Sequence, residues 1–131
     1  MKNLIKVTIA SLFILGVTAC SNTQPINNVQ QSPVVHNASK EQVRSAIIEA
    51  ATNRGWLVEE VGEAEIAASI NVRSHQASIR IPYTDESYSI LYDSSINLKQ
   101  RGNQIHRNYN RWVLNLRSDI DRQLQMNLLS N

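Results

Sequence analysis

Residues 106–112, His106, Arg107, Asn108, Tyr109, Asn110, Arg111 and Trp112, set cations, amide donors and stacking rings side by side. Planar guanidinium groups match carboxylate and phosphate oxygens, and on a helix Arg107 and Arg111, four apart, share a face. From Lys99 through Arg117 the chain carries five cations and no carboxylate. The chemistry this allows is docking: His106, Arg107, Tyr109, Asn110 and Arg111 form a candidate binding set for an acidic partner, a peptidoglycan peptide or a lipid headgroup. The competing reading is a solvated polar side whose arginine stems cover Trp112, with Tyr109 and Trp112 turned towards the core. The other group with nameable chemistry is Cys20, the single cysteine. It excludes any disulfide within the chain and would leave a secreted protein with one reactive thiol.

Cys20 closes an apolar run. Lys2 and Lys6 give a positive start, and Val7 to Ala19 follow as about 13 apolar and small residues, the pattern of a signal peptide. That stretch is too short to span a bilayer, which needs about 20. Val17, Thr18, Ala19 and Cys20 resemble the lipobox of bacterial lipoproteins, although Val17 to Ala19 would also suit ordinary signal peptidase. The resemblance implies that residues 1–19 are removed and that Cys20 becomes the mature N-terminus, bearing a thioether-linked diacylglycerol and an amide-linked acyl chain. Two or more chains, at about 0.8 kcal/mol per buried methylene, make a permanent anchor. Ser21, rather than Asp, follows the cysteine. In the Gram-negative sorting pattern this resembles cargo of the outer membrane, so the expected location is its inner leaflet, facing the periplasm. Loss of Lys2 and Lys6 reduces the 13 cations to 11, equal to the 11 Asp and Glu. A neutral mature chain implies no general affinity for nucleic acid or for anionic lipid.

Other reactive constellations are absent from the sequence. His36, His75 and His106 fall in no triad motif and have no metal-ligand spacing. Four glycines, none paired, make no phosphate loop, and no cofactor or metal is expected. Glu59, Glu60, Glu63 and Glu65 cluster around a turn, where they read as solvated surface that discourages strand pairing.

Three zones must position these residues. After the signal peptide, residues 20–38 comprise the lipidated cysteine and an uncharged stretch rich in Asn, Gln, Ser and Pro with no hydrophobic period. This stretch reads as a flexible tether, reaching roughly 20 to 25 Å. Residues 39–131 form one domain. Ser39 and Gln42 have the capping-box spacing, Val43, Ala46, Ile47, Ala50 and Ala51 share a helical face, and Gly55 ends the helix, which spans 40–54. The period then switches to two in four runs: Trp56 and Val58; Ile66 to Val72; Ala77 to Tyr83; Tyr88 to Tyr92. Pro82 is expected at a sheet edge or a bulge. A polar connector, 93–103, leads to a long helix over 104–126 with Ile105, Tyr109, Trp112, Val113, Leu116, Ile120 and Leu124 on one stripe. The expected fold class is α+β: a four-stranded antiparallel meander, with the N-terminal and the long C-terminal helix on one face and both tryptophans in the core. The other sheet face would expose Leu57, Ala67, Ser69, Ser78, Ser89 and Leu91, with Arg73 and Arg80 among them.

The motifs R-G-W-x-V at Arg54 to Val58, I-x-A-x-I-x-V at Ile66 to Val72, Y-S-I at Tyr88 to Ile90 and H-R-N-Y-N-R-W-V at His106 to Val113 together resemble a group of small, functionally uncharacterised lipoproteins of Gram-negative bacteria. The resemblance implies an envelope location and a domain plan, and no activity. Two functions follow as expectations: a non-enzymatic envelope lipoprotein that binds or scaffolds another component through the basic face of the second helix or the open sheet face, or an enzyme or small-ligand carrier acting on cell-wall or lipid material, with His106, Tyr109 and Arg111 converging on a pocket between the second helix and the sheet.

Overall fold

The computed structural model describes residues 21–35 and 37–130. The segment expected to be a signal peptide, Cys20 and His36 lie outside the described residues. Along the chain run β1 (Thr23–Pro25), β2 (Val29–Pro33), α1 (Lys40–Asn53), β3 (Leu57–Glu60), β4 (Glu65–Val72), β5 (His75–Pro82), β6 (Ser87–Ile96), β7 (Gln104–His106) and α2 (Arg107–Leu129). The α+β class stands, but the four-stranded meander becomes a five-stranded antiparallel sheet of order β2-β6-β5-β4-β3, beside a two-stranded sheet of β1 and β7.

The first helix forms where its cap places it. Ser39 Oγ accepts from the Gln42 amide at 3.1 Å, and Gln42 Oε1 accepts from the Ser39 amide at 2.8 Å, so two orphan donors of the first turn are satisfied. Gly55, at φ 85°, supplies the left-handed residue that turns the chain into β3. In the sheet, Val58 opposes Ala68, Ala68 opposes Ile79, and Ile79 opposes Tyr92. The period of two then puts Ile66, Ala68, Ile70, Ala77, Ile79, Ile81, Tyr88 and Ile90 on one buried face. Val43, Ala46 and Ile47 of α1 and Val113, Leu116, Ile120 and Leu124 of α2 join them in a single core, so both helices cover that face. Burying each such aliphatic side chain is worth about 1.5 to 3 kcal/mol.

The tether is the main correction. Residues 23–25 and 29–33 are strands, and Val29 and Val34 are buried. Val29 pairs with Ile90 and Ser32 with Tyr88, so Gln30 and Gln31 together oppose the single residue Ser89. This bulge places Gln31 at φ 48°, with its amide donating to Ser89 Oγ at 2.9 Å. One extra residue shifts the inward set from alternate positions to Val29, Ser32 and Val34, which erases the period of two.

Two further boundaries move. The strand expected to stop at Tyr92 runs on to Ile96, because Asp93 is bulged out between the pairs Ser78 to Ser94 and Ile79 to Tyr92. Gln104 to His106 are strand rather than helix, and the second helix begins at Arg107. Pro82 lies not at a sheet edge but at the end of the central strand β5, past which the isolated bridge of Tyr83 with Tyr88 joins the chain to β6. Trp56 is in the core, whereas Trp112 is half-buried against its margin.

Candidate functional site

The seven-residue motif sits where β7 passes into α2, and most of it is structural. His106 has extended backbone angles, φ −58° and ψ 133°, and its Nδ1 accepts from the Asn108 amide at 3.2 Å, capping the helix. Its ring stacks on His75, with centroids 6.4 Å apart and planes 14° from parallel, and the His75 Nδ1–H donates to the Asn97 carbonyl at 2.7 Å. Partial burial lowers the His106 pKa, and the charges of Lys99, Arg107 and His75 lower it further. The neutral ring that the cap requires is therefore favoured. Tyr109 is fully buried and meets Tyr92 edge to face at 5.4 Å. Its hydroxyl has no hydrogen-bond partner among the described residues, and burial raises its pKa.

Asn110 is a clamp. It is buried, its Oδ1 accepts from the Asn27 amide at 3.0 Å, and its Nδ2 donates to the Pro25 carbonyl at 2.9 Å and to Gln24 Oε1 at 3.3 Å. Backbone bonds continue the hold: the Arg107 amide to the Asn22 carbonyl at 2.9 Å, and the Ile26 amide to the Asn103 carbonyl at 2.8 Å. Thr23 pairs with His106, Gln24 with Ile105 and Pro25 with Gln104. The segment following Cys20 is thus fixed to the start of α2.

The candidate residues divide accordingly. His106, Tyr109 and Asn110 hold the local structure together, while Arg107 and Arg111 remain exposed. The five do not converge on one opening. The ion pairs of the described residues engage Arg44, Arg54, Arg80, Arg117 and Arg122. No carboxylate among the described residues pairs with Arg73, Lys99, Arg101, Arg107 or Arg111. Lys99 and Arg101 line a shallow depression of about 470 Å³ with Thr23, Gln100 and Gln104. Sequence reasoning placed these two cations in a connector and did not join them to the candidate set. Their signal was the run of cations without carboxylates, but their meeting with Thr23 depends on the pairing of β1 with β7.

The other features of the sequence reading are accounted for locally. Glu60 and Glu41 pair with Arg44, and Glu65 pairs with Arg80 at 2.6 Å. Arg80 on the open sheet face is therefore engaged, and that face holds a depression of about 210 Å³ lined by Leu57, Glu59, Ala67, Ser69, Ser78 and Asp93 among others. Among the described residues no cluster of three or more His, Cys, Asp or Glu is placed to hold a metal ion, and no helix is long and apolar enough to cross a membrane. No family model, curated protein or solved structure matches the chain.

Proposed function

We propose that the protein is an envelope lipoprotein of the kind its motifs resemble, anchored by lipidated Cys20 to the periplasmic face of the outer membrane, whose domain binds or scaffolds another envelope component without catalysis. One observation carries the reading. The residues immediately after Cys20 are built into the domain, beside cations that have no carboxylate partner among the described residues. That arrangement suits a domain seated on a lipid surface through its first residue. The enzyme or carrier reading requires His106, Tyr109 and Arg111 to meet at a pocket, and the burial of Tyr109 beside an outward Arg111 weighs against it.

Metabolic labelling with palmitate tests the proposal. The full chain should take up label and sediment with the outer membrane, whereas Cys20→Ala should lose both properties. An unlabelled wild-type chain, or a Cys20→Ala form that still sediments with that membrane, overturns it.

A further inference from the structure

The charge of the folded chain is distributed along the strands. At the end where β4 meets β5, Arg73 lies in the turn, and Ser74 Oγ accepts from Asn97 Nδ2 at 2.9 Å. That bond, together with the His75 to Asn97 contact, brings the 97–103 loop and its Lys99 and Arg101 to the same end. β1 and the start of α2 complete it through the pairing of Thr23 with His106. Residues 21–39 and 94–118 contain no carboxylate. At the opposite end lie Glu60, Glu63, Glu65, Asp85 and Glu86, with Lys40 over the Tyr83 ring at 5.9 Å. The paired length of β4, Glu65 to Val72, separates the two ends by roughly 25 Å.

Cys20 is joined to Ser21 by a single peptide bond. Asn22 is fixed to Arg107 by a backbone hydrogen bond of 2.9 Å. An acyl anchor on Cys20 therefore delivers this cationic end, and not the acidic one, to the bilayer.

We propose that Lys99, Arg101 and Arg107, flanked by Arg73 and Arg111, form a contact face for the anionic phospholipid headgroups of the membrane that holds the anchor. The proposal rests on the reading of Cys20 as lipidated. Guanidinium forks match phosphate oxygens, and the depression beside Thr23 is lined by Lys99 and Arg101 together with Gln100 and Gln104. Each cation near an anionic surface contributes about fivefold to partitioning, and the effect fades within a Debye length.

Lys40 and Lys99 are the only lysines after Cys20, and they mark the two ends. The mature lipidated protein is reconstituted in vesicles of phosphatidylcholine alone or mixed with phosphatidylglycerol, and each lysine's rate of acylation by an uncharged water-soluble reagent is read by mass spectrometry. On anionic vesicles Lys99 should react several-fold more slowly than on zwitterionic ones, while Lys40 stays unchanged. High salt, or Arg101→Gln with Arg107→Gln and Arg111→Gln in a chain whose melting is unaltered, should abolish the difference. Equal Lys99 rates on the two vesicle types overturn the proposal, as does equal slowing of Lys40; a face reserved for an acidic macromolecule would give the first result. The mass of the N-terminal peptide separates the two failures: an acylated Cys20 with equal Lys99 rates removes only the headgroup face, whereas an unmodified Cys20 removes the anchor and this face with it.

Discussion

Asn110 does more for this molecule than the arginines around it. Three acceptors and donors of the N-terminal segment converge on one buried amide. Asn110→Ala would leave the Asn27 amide and the Pro25 carbonyl without partners, at a cost of about 1 to 3 kcal/mol. Denaturant melts should show that loss, and limited proteolysis should find new cleavage before Val29; an unchanged midpoint would remove the clamp. Tyr109 behaves in the opposite sense, because its hydroxyl is buried with no hydrogen-bond partner among the described residues. Tyr109→Phe should leave stability unchanged or raise it by up to about 1 kcal/mol, and a loss larger than that would mean the hydroxyl is bonded. His106 makes the cap pH-sensitive. Its folded pKa is depressed by burial and by Lys99, Arg107 and His75, so the unfolded chain takes up the proton first as pH falls below the ordinary value of about 6.5. Stability should therefore be unaffected above that value and decline as pH falls from it through the folded pKa. An NMR titration should give His106 a midpoint below that of a free imidazole; a midpoint above it contradicts the neutral cap.

At the scale of elements, β6 and α2 are bolted together. The Tyr88 hydroxyl donates its one proton to Asp121 Oδ1 at 2.6 Å, with the Arg117 carbonyl a weaker shared acceptor at 3.3 Å, and burial with the Asp121 contact raises its pKa. Tyr88→Phe should cost about 1 to 3 kcal/mol, read as a lowered unfolding midpoint, whereas a value near zero would mean that water replaces the bond without loss. The pairing of Arg54 with Asp119, which lowers the Asp119 pKa, links α1 to α2 at the surface and is worth at most about 1 kcal/mol. The elements that could be read from sequence are those whose signals are local. The Ser39 and Gln42 cap, Gly55, and the alternation in β4 and β5 all lie where expected. β2 was hidden because its bulge at Gln31 breaks the alternation, and the extension of β6 was hidden by a second bulge at Asp93. β1 has almost no apolar content, and only its partner across the molecule defines it. The same cause explains the partial reading of the site. Arg107 and Arg111 were legible by helical spacing, but the meeting of Lys99 and Arg101 with Thr23 follows from long-range pairing that no local pattern announces.

For the whole molecule, the replacement of a tether by a docked segment changes what an anchor does. A coil of 17 residues would let the domain present any side to lipid at a distance of roughly 20 to 25 Å. With the proposed anchor on Cys20, a clamped segment would hold one end against the surface, with the acidic turns around Glu63 and Asp85 facing away. Orientation would then come from covalent geometry and the β1 to β7 pairing, and the cations would add to it only on charged membranes. Because Cys20 is the single cysteine and is occupied by lipid in this account, an introduced cysteine carries a probe uniquely. The most direct test places a fluorophore at Gln104→Cys or at Glu63→Cys in the lipidated protein and reads quenching by a headgroup-level quencher in zwitterionic vesicles, where membrane charge contributes nothing. The account predicts strong quenching at 104 and little at 63; equal quenching at the two positions would contradict it.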